Sequence, residues 1–398
     1  MKPTENALLY AEESLLRDTS QQPKLTIGIP SENHDIETRL ALTPEGVAIV
    51  AEEGHRVIVE RGAGAPMLYT DLQYSEAGAT IADSAEEAFS ADIVLKITPP
   101  TLKELEMMRK HASVFSTLQL SNLSKESIEM MMKKKMNAFA CELIKDEQKA
   151  FPVISSVSEI EGNTAITIAA ELMSNTRGGK GLMLGGVAGI SPTEVLIIGA
   201  GIAGTAAART AMALGAQVKI FDHDINKLRK MQHYLGQQVF TSVIHPTVLF
   251  KALQSADVVI GNLRYINGSE RFMVSEDLVK TMKTGAVIID LSIDQGGCFE
   301  TSEFRTMKNP SYVRHGVVHY CVPNISARVA RTASMALSNI LSPMLLKIAA
   351  SGGVNHATAE SAGFRNGAYV FGGMLVNRLV GNYYGIDAND IGLLLAGY

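Results

Sequence analysis

The chain has 398 residues, of which 46% are apolar and 19% charged, and its formal net charge is −5 at pH 7. A chain of this length is longer than a single hydrophobic core usually supports, which predicts two domains. The mild negative charge argues against nucleic acid as the main partner. Three cysteines without a Cys-x-x-Cys pair, no signal-peptide pattern and no long uncharged apolar run predict a cytoplasmic protein without a disulfide framework, a zinc site or a membrane partner.

The first part of the chain alternates between strand-like runs and helix-length segments. Residues 1–23 are predicted to be an amphipathic extension without a chemical role. Strands are then expected at residues 25–29, 56–60, 92–97, 114–118 and 137–140. This alternation is typical of parallel strands joined by right-handed crossovers, so residues 24–152 are interpreted as a doubly wound domain. The segment 331–398 has a helical pattern, is too short for a domain of its own and is expected to pack on the first domain.

Residues 153–330 are predicted to form a second domain of the same class. A helix over residues 160–172 connects the two domains, and the glycine-rich stretch 175–192 is expected to be a loop or hairpin. Further strands are expected at residues 195–198, 218–221, 239–243, 258–260 and 287–290. The predicted fold is therefore α/β, with two doubly wound Rossmann-like domains separated by a cleft.

The strongest motif spans residues 195–222, where a strand, a Gly-x-Gly-x-x-Gly turn, a helix, a second strand and an acid follow one another. Gly199 permits the tight turn, Gly201 lets a pyrophosphate approach the backbone, and Gly204 lets helix and strand pack closely. The phosphates would lie at the helix N-terminus. Asp222 is placed to accept hydrogen bonds from ribose hydroxyls and would repel a 2′-phosphate, which favours NAD over NADP. The alternative is a purely structural glycine turn.

Polar residues that follow predicted strands are the candidates for a substrate site, because ligands of open α/β sheets bind at the carboxyl ends of strands. Arg39 can grip a carboxylate with two hydrogen bonds, or it is an ordinary surface arginine. Lys96 stands in an apolar strand and either faces the cleft or snorkels to the strand end. Asp294 precedes a pair of glycines and suits a carboxylate that faces the nicotinamide, or it caps a turn. Asn324 either bonds the cofactor or makes a turn. The nine histidines form no metal-like cluster in sequence.

Several stretches together resemble the alanine dehydrogenase family, which is similar in turn to the NAD-binding domain of proton-translocating transhydrogenase. They read IGIPSENHDIETRLALTP at residues 27–44, MLGGVAGISP at 183–192, DLSIDQGGCF at 290–299 and YCVPN at 320–324. The resemblance implies NAD-dependent oxidative deamination of a small L-amino acid, most of all L-alanine to pyruvate and ammonia. It also implies a hexamer of two-domain subunits with the active site in the cleft.

The resemblance also implies roles for individual residues by position. Arg39 corresponds to the arginine that binds the substrate carboxylate, and Asp294 corresponds to the catalytic aspartate. The three glycines of the motif and Asp222 match the dinucleotide site. Ser158 and Asn324 match further cofactor contacts.

Two positions depart from the family pattern. The family's Lys-x-Lys-Glu-Pro run reads KITPP from Lys96, so Thr98 stands where the second, substrate-contacting lysine is expected. Gln119 stands where the family carries the histidine of its acid–base step, and a glutamine cannot titrate near neutral pH. Lys96 or Asp294 would then have to move the proton.

Three functions are compatible with these residues. The chain is an amino-acid dehydrogenase with a changed acid–base arrangement, a transhydrogenase-like domain that positions NAD(H) for a partner, or a NAD-binding homologue without catalysis. Arg39 and Asp294 favour the first function, because a pure binder has little need of both. The departures at Thr98 and Gln119 favour the other two.

Overall fold

The computed structural model describes residues 24–118, 123–263 and 273–396. The predicted extension over residues 1–23 and the candidate Gln119 lie outside the described residues. The strands, in chain order, are β1 (Thr26–Ile29), β2 (Arg56–Glu60), β3 (Thr80–Ala82), β4 (Ile93–Leu95), β5 (Ser113–Ser116), β6 (Asn137–Ala140), β7 (Glu194–Ile198), β8 (Gln217–Asp222), β9 (Phe240–Val243), β10 (Val258–Gly261), β11 (Val287–Asp290), β12 (Ser311–Arg314), β13 (Val317–Tyr320), β14 (Ala368–Phe371) and β15 (Met374–Leu375).

Helices cover both faces of the sheets that these strands form. They are α1 (Pro44–Glu52), α2 (Asp71–Glu76), α3 (Ala85–Phe89), α4 (Leu102–Met107), α5 (Lys125–Lys133), α6 (Pro152–Met173), α7 (Ile202–Ala213), α8 (Ile225–Leu235), α9 (Pro246–Ser255), α10 (Glu276–Val279), α11 (Ala330–Ala350), α12 (Val354–Glu360), α13 (Ala362–Arg365), α14 (Arg378–Tyr384) and α15 (Ile391–Leu395).

Two sheets in the described part of the chain each have the strand order of a doubly wound fold. Parallel strands run β3-β2-β1-β4-β5-β6 in the first sheet and β9-β8-β7-β10-β11-β13 in the second. The strand order therefore reverses between β1 and β4 and again between β7 and β10, which is where ligands of such sheets bind. The predicted α/β class with two Rossmann-like domains is confirmed. We call each sheet with its helices a lobe: the first lobe holds β1–β6, β14 and β15, and the second holds β7–β13.

Antiparallel strands extend both sheets at positions where the sequence indicated none. β14 pairs with β6 and β15 with β14 at one edge of the first sheet, and β12 pairs with β13 at one edge of the second. The prediction of a helical segment over residues 331–398 is therefore wrong for residues 368–375. β14 and β15 have four and two residues, and so short a run carries no periodicity that separates a strand from a helical turn.

The central strands are buried on both faces. In β7, Val195 and Ile197 belong to the hydrophobic cluster that includes the alanines of α7, whereas Leu196 and Ile198 belong to the cluster that includes α9. Side chains alternate between the two faces of a strand. An uninterrupted apolar run is therefore what a sheet covered by helices on both sides requires.

Two long helices connect the lobes. The connecting helix expected from residue 160 begins instead at Pro152, because proline is well tolerated in the first turn of a helix, where its missing N–H costs nothing. A Cβ on Gly162 of this helix, α6, would stand 2.1 Å from the carbonyl oxygen of Ala203 in α7. α11 leads back to β14. The apolar stretch Ile325–Ala350 is long enough to cross a membrane by length and composition, but 50% of its apolar window is buried inside the protein.

Candidate active site

The Gly-x-Gly-x-x-Gly turn lies at the reversal of strand order in the second sheet. Gly199 follows β7 with a φ of +114°, and a Cβ there would stand 2.5 Å from the carbonyl oxygen of Asn262, which follows β10. A Cβ on Gly204 would stand 1.9 Å from the carbonyl oxygen of Gly199. The turn and the close packing of α7 on β7 therefore require glycine at both positions.

Gly201 differs from the other two glycines because the space beside it is open. A Cβ there would have its nearest contact at 3.4 Å, with Nδ2 of Asn262, which is an ordinary van der Waals distance. Gly201 is also the N-cap of α7, and no side chain caps this helix. The first N–H groups of α7 are therefore left without a side-chain acceptor, and a negative charge is favourable there. A pyrophosphate fits this loop.

Asp222 lies at the end of β8 and is tied to the same loop. Its carboxylate accepts hydrogen bonds from the backbone N–H groups of Ala200 at 2.7 Å and Asp224 at 2.9 Å. The side chain is 1% exposed, so its negative charge is fixed beside the glycines. Its contact with a ribose stays a prediction.

Arg39 lies where the two lobes meet. Its Nε and Nη2 atoms each donate to a carboxylate oxygen of Glu37 at 2.8 Å, and its Nη1 donates to the hydroxyl of Ser326 at 3.0 Å. The same carboxylate accepts a hydrogen bond from the side-chain amide of Asn324. Arg39 of the first lobe and Asn324 of the second lobe therefore donate hydrogen bonds to the same carboxylate.

The Arg39–Glu37 pair is buried and charged. Burial by itself raises the pKa of Glu37, but the guanidinium and backbone N–H of Arg39 and the amide of Asn324 outweigh burial and hold that pKa below its usual range. Arg39 is 7% exposed and is not an ordinary surface arginine. An arginine has five N–H donors, and the contacts with described residues use three. Two donors thus remain to bind the carboxylate of a ligand.

Lys96 and Glu32 meet at the reversal of strand order in the first sheet. The Nζ atom of Lys96 lies 3.2 Å from Oε2 of Glu32 and 2.9 Å from Oε1 of Glu104, and the side chain is 3% exposed, so it does not snorkel to solvent. Thr98 donates its hydroxyl to Glu32 at 2.5 Å. Burial lowers the pKa of Lys96, but the two carboxylates outweigh burial and raise it above its usual value. Lys96 therefore remains a cation at neutral pH.

Asp294 lies in a one-turn helix (Ile293–Gln295) after β11 and is partly exposed. Asp290, at the end of β11, builds this loop, because its buried carboxylate accepts two backbone N–H groups of the loop at 2.9 and 2.8 Å. β11 and β13 are parallel neighbours. Asp294 and Asn324 therefore follow the carboxyl ends of adjacent strands in the second sheet. Asn324 donates a hydrogen bond to Glu37, which in turn pairs with Arg39.

Three buried carboxylates that hold the site were not among the sequence candidates: Glu32, Glu37 and Asp290. Each is an acidic residue within or shortly after an apolar strand, where an unpaired charge is costly. An acid in such a position therefore indicates a paired or functional carboxylate, and this pattern could have identified all three. Ser158 lies among the buried residues of α6. Gln119 lies outside the described residues, so its place in the site stays a prediction.

Comparison with known proteins agrees with this architecture. The family description "Alanine dehydrogenase/PNT, N-terminal domain" matches residues 28–161, and "Alanine dehydrogenase/PNT, C-terminal domain" matches residues 165–378. The alanine dehydrogenase of Staphylococcus saprophyticus is 35% identical over 92% of this chain and 99% of its own length. That of Bacillus subtilis is 36% identical over 91% of this chain and 96% of its own length.

Solved structures show the same relationship. An L-alanine dehydrogenase superposes with a TM-score of 0.85 at 34% identity, over 91% of this chain and 99% of that chain. A transhydrogenase from Sinorhizobium meliloti superposes with a TM-score of 0.76 at 25% identity, over 88% of this chain and 100% of that chain. The two family descriptions cover most of the sequence and the relatives match over nearly their whole length, so the chain belongs to the alanine dehydrogenase/PNT family.

Proposed function

We propose that this protein is a NAD-dependent dehydrogenase that oxidatively deaminates a small L-amino acid, with L-alanine as the leading substrate. The observation that carries the proposal is the meeting of Arg39 and Asn324 on Glu37. The buried Arg39 guanidinium lies where the lobes touch and shares this carboxylate with Asn324, which follows the strand next to the one that precedes Asp294. A domain that only binds a dinucleotide has no need of a carboxylate-binding arginine there.

NAD is the cofactor that the glycine turn suits. When bound, it supplies a hydride acceptor for Cα of the amino acid. The open space beside Gly201 and the uncapped start of α7 would hold the pyrophosphate, and Asp222 would face the ribose and disfavour a 2′-phosphate. Ser158 and Asn324 are proposed for further cofactor contacts.

The residues of the chain divide the remaining work between them. Arg39 binds the substrate carboxylate through its two remaining N–H donors and so orients Cα. Asp294 stabilises the positive charge that develops on the substrate nitrogen as the hydride leaves Cα. Water then adds to the iminium carbon, and loss of ammonia gives the keto acid. Lys96 is proposed to act through its charge rather than as a base, because its two carboxylates keep it protonated.

A transhydrogenase-like role is the second candidate, and Thr98 favours it. The Thr98 hydroxyl is bonded to Glu32, and no cation stands at this position to contact a substrate. A domain that passes a hydride between NAD(H) and a partner requires no such cation. The similarity to the transhydrogenase structure supports this alternative.

The test is the reduction of NAD in the presence of L-alanine and a panel of other L-amino acids, followed by absorbance. We expect turnover with a small amino acid and its loss in Asp294→Asn, with NAD affinity retained. Asp277→Asn is the matched control, because Asp277, on the short helix α10, is 90% exposed and pairs with Lys280. Tight NAD binding without turnover of any amino acid would contradict the dehydrogenase and leave the transhydrogenase-like or non-catalytic function.

We also propose that the protein is a cytoplasmic homo-oligomer, a hexamer by resemblance to its family, that acts on a small molecule rather than on nucleic acid or at a membrane. Light scattering coupled to size-exclusion chromatography measures the mass of the assembly directly. A monomer at enzymatic concentrations would contradict the oligomer.

A further inference from the structure

Glu142 lies at the carboxyl end of β6, beside the strand that leads to residue 119. β5 and β6 run parallel with Ser116 paired to Ala140, so Leu118 and Glu142 each stand two residues beyond that pair. The backbone N–H of Leu118 donates a hydrogen bond to the Glu142 carboxylate. Glu142 is thus bound to the residue that directly precedes Gln119 in the chain.

The Glu142 carboxyl group has an oxygen atom that is buried and unpartnered. Its Oε2 atom is buried and has no hydrogen-bond partner within the described residues, while the residue as a whole is partly exposed. Burial raises the pKa of Glu142 to about 7, against the lowering by the backbone N–H groups of Glu142 and Leu118. The titratable groups that face it, Cys141 and Tyr369, are neutral at pH 7, because burial and the nearby Glu142 charge raise their pKa values.

The other carboxylates near the carboxyl ends of the strands in the first sheet already have charged or hydrogen-bonding partners. Glu32 accepts from the backbone N–H of Ile97 and from the hydroxyl of Thr98 while it contacts Lys96. Glu37 is held ionised by Arg39, and its pKa is lowered. General acid–base catalysis works best with a group whose pKa lies near the operating pH. Burial raises the pKa of Glu32 as well, but both oxygens of Glu32 already have hydrogen-bond partners, whereas Oε2 of Glu142 has none within the described residues.

We propose that Glu142, at the carboxyl end of β6, gives and takes the proton of the deamination, a step for which the resemblance implies a histidine and this sequence has Gln119; this inference rests on the proposed function. As water adds to the iminium carbon, one O–H bond of the water breaks and its proton passes to the Glu142 carboxylate, which leaves a neutral carbinolamine. The carboxylic acid then protonates the amine nitrogen of this intermediate.

The C–N bond breaks next, and its electron pair leaves on ammonia. The hydroxyl proton returns to Glu142 as the C=O bond of the keto acid forms, and solvent finally takes that proton. One iminium ion and one water thus give one keto acid, one ammonia and one proton. The reaction needs no oxidant beyond the NAD of the proposed function.

The experiment compares the wild type with Glu142→Gln, which keeps the size of the side chain and removes its titration. We expect kcat to fall about 10²–10⁴-fold, with NAD affinity retained and with thermal stability no lower than that of the wild type. In the wild type, kcat/KM for deamination is expected to rise with pH through about 7, because the carboxylate must be free to accept a proton, and this limb should vanish in the variant. Glu147→Gln is the matched control, because Glu147 is 84% exposed and pairs with Lys347.

A second variant separates proton transfer from structure. Gln119→His/Glu142→Gln restores the titrating group of the family and is expected to recover part of kcat together with a pH-dependent limb, which a merely structural Glu142 would not allow. A wild-type profile that is flat across the neutral range, or unchanged kcat in Glu142→Gln, overturns this inference alone. A wild type that binds NAD but turns over no amino acid overturns the proposed function and this inference with it.

Discussion

The Lys96–Glu32 pair shows how charge is kept inside the first lobe. Both side chains are at most 3% exposed, and moving either charge out of water costs several kcal/mol. Lys96 contacts two carboxylates, and Glu32 also accepts from a backbone N–H and from Thr98. A pair of this kind contributes little net stability, but each partner is strongly destabilising without the other.

Lys96→Met is therefore expected to lower the free energy of unfolding by about 3–5 kcal/mol, because it leaves the buried Glu32 carboxyl group, whose pKa burial already raises, without its cation. Glu32→Gln/Lys96→Met should recover much of this loss. Urea denaturation of both variants measures the difference. Lys103→Met on the exposed side of α4 is the control and should change stability by about 0.5 kcal/mol or less. A double variant as unstable as the single one would show that the loss comes from packing instead of charge.

Glu142 makes a prediction about stability that is independent of turnover. Its folded-state pKa of about 7 lies above its usual value of 4.5, so the folded protein binds a proton there that the unfolded chain has already released. This contribution to the free energy of unfolding is present below about pH 4.5 and is lost as the pH rises through about 7. Glu142→Gln should therefore be more stable than the wild type at alkaline pH, by at most about 3 kcal/mol.

Thermal unfolding of Glu142→Gln and wild type across this pH range checks the sign. The gain should shrink as the pH falls toward the unfolded-state pKa. A difference in melting temperature that does not vary with pH would contradict a buried, titrating Glu142. We expect a carboxyl group that lowers the stability of the protein to be retained for function rather than for structure.

The glycines of the turn after β7 make a prediction at the scale of the element. Gly204→Ala should destabilise the second lobe, because its Cβ would stand 1.9 Å from the carbonyl oxygen of Gly199. Gly201→Ala should leave the melting temperature nearly unchanged, because its nearest contact would be 3.4 Å. The same methyl group occupies space that the pyrophosphate requires, so NAD affinity should fall.

Calorimetric titration with NAD and thermal unfolding of both variants test this pair. Each variant is the control for the other, because both add one methyl group to one turn. Gly201→Ala with unchanged NAD affinity would mean that the phosphates do not lie on this loop. Equal loss of stability in the two variants would contradict the difference in local space.

Elements with a strong local pattern could be predicted from the sequence. β2, β6 and β11 have the bounds expected for them, since each is an apolar run between polar flanks. β12, β14 and β15 could not, because these antiparallel strands extend the edges of the sheets and form through partners that the whole fold sets. The length of α6 was underestimated because its first turns carry serines rather than an apolar stripe.

The site residues at strand ends could be predicted from the sequence, but the contacts between them could not. Arg39 and Asn324 follow strands and were candidates for that reason. Glu37 and Asn324 are 287 residues apart in the chain, so no local pattern connects them. Glu142 was missed because its environment comes from the backbone of Leu118 and from β14, which the sequence did not indicate.

Both lobes of the molecule have the same doubly wound arrangement, and charged side chains connect the two lobes. Each lobe reverses its strand order once, and each reversal carries polar chemistry: Lys96 with Glu32 in the first, the glycine turn in the second. The Glu37 carboxylate then connects the lobes, because it holds Arg39 on one side and Asn324 on the other. The catalytic arrangement we propose exists only while this connection holds the lobes together.

Glu37→Gln tests that connection. The pKa of Glu37 is held below its usual value of 4.5, with burial outweighed by Arg39 and Asn324. Its stabilisation is therefore present above the unfolded-state pKa and is lost as the pH falls through the lower folded-state pKa. At neutral pH the variant should lose about 3–5 kcal/mol, because Arg39 is left buried without its partner. On acidification the wild type should lose more stability than the variant.

Urea denaturation at neutral and acidic pH measures both effects, and small-angle scattering at neutral pH reports whether the lobes separate. Asp35→Asn is the control, because Asp35 also reaches the second lobe, through Lys308, but both of those side chains are about 70% exposed and solvent screens such a pair. Glu37→Gln with the stability, scattering profile and pH dependence of Asp35→Asn would show that packing of α6 and α11, rather than the buried carboxylate, holds the two lobes in place.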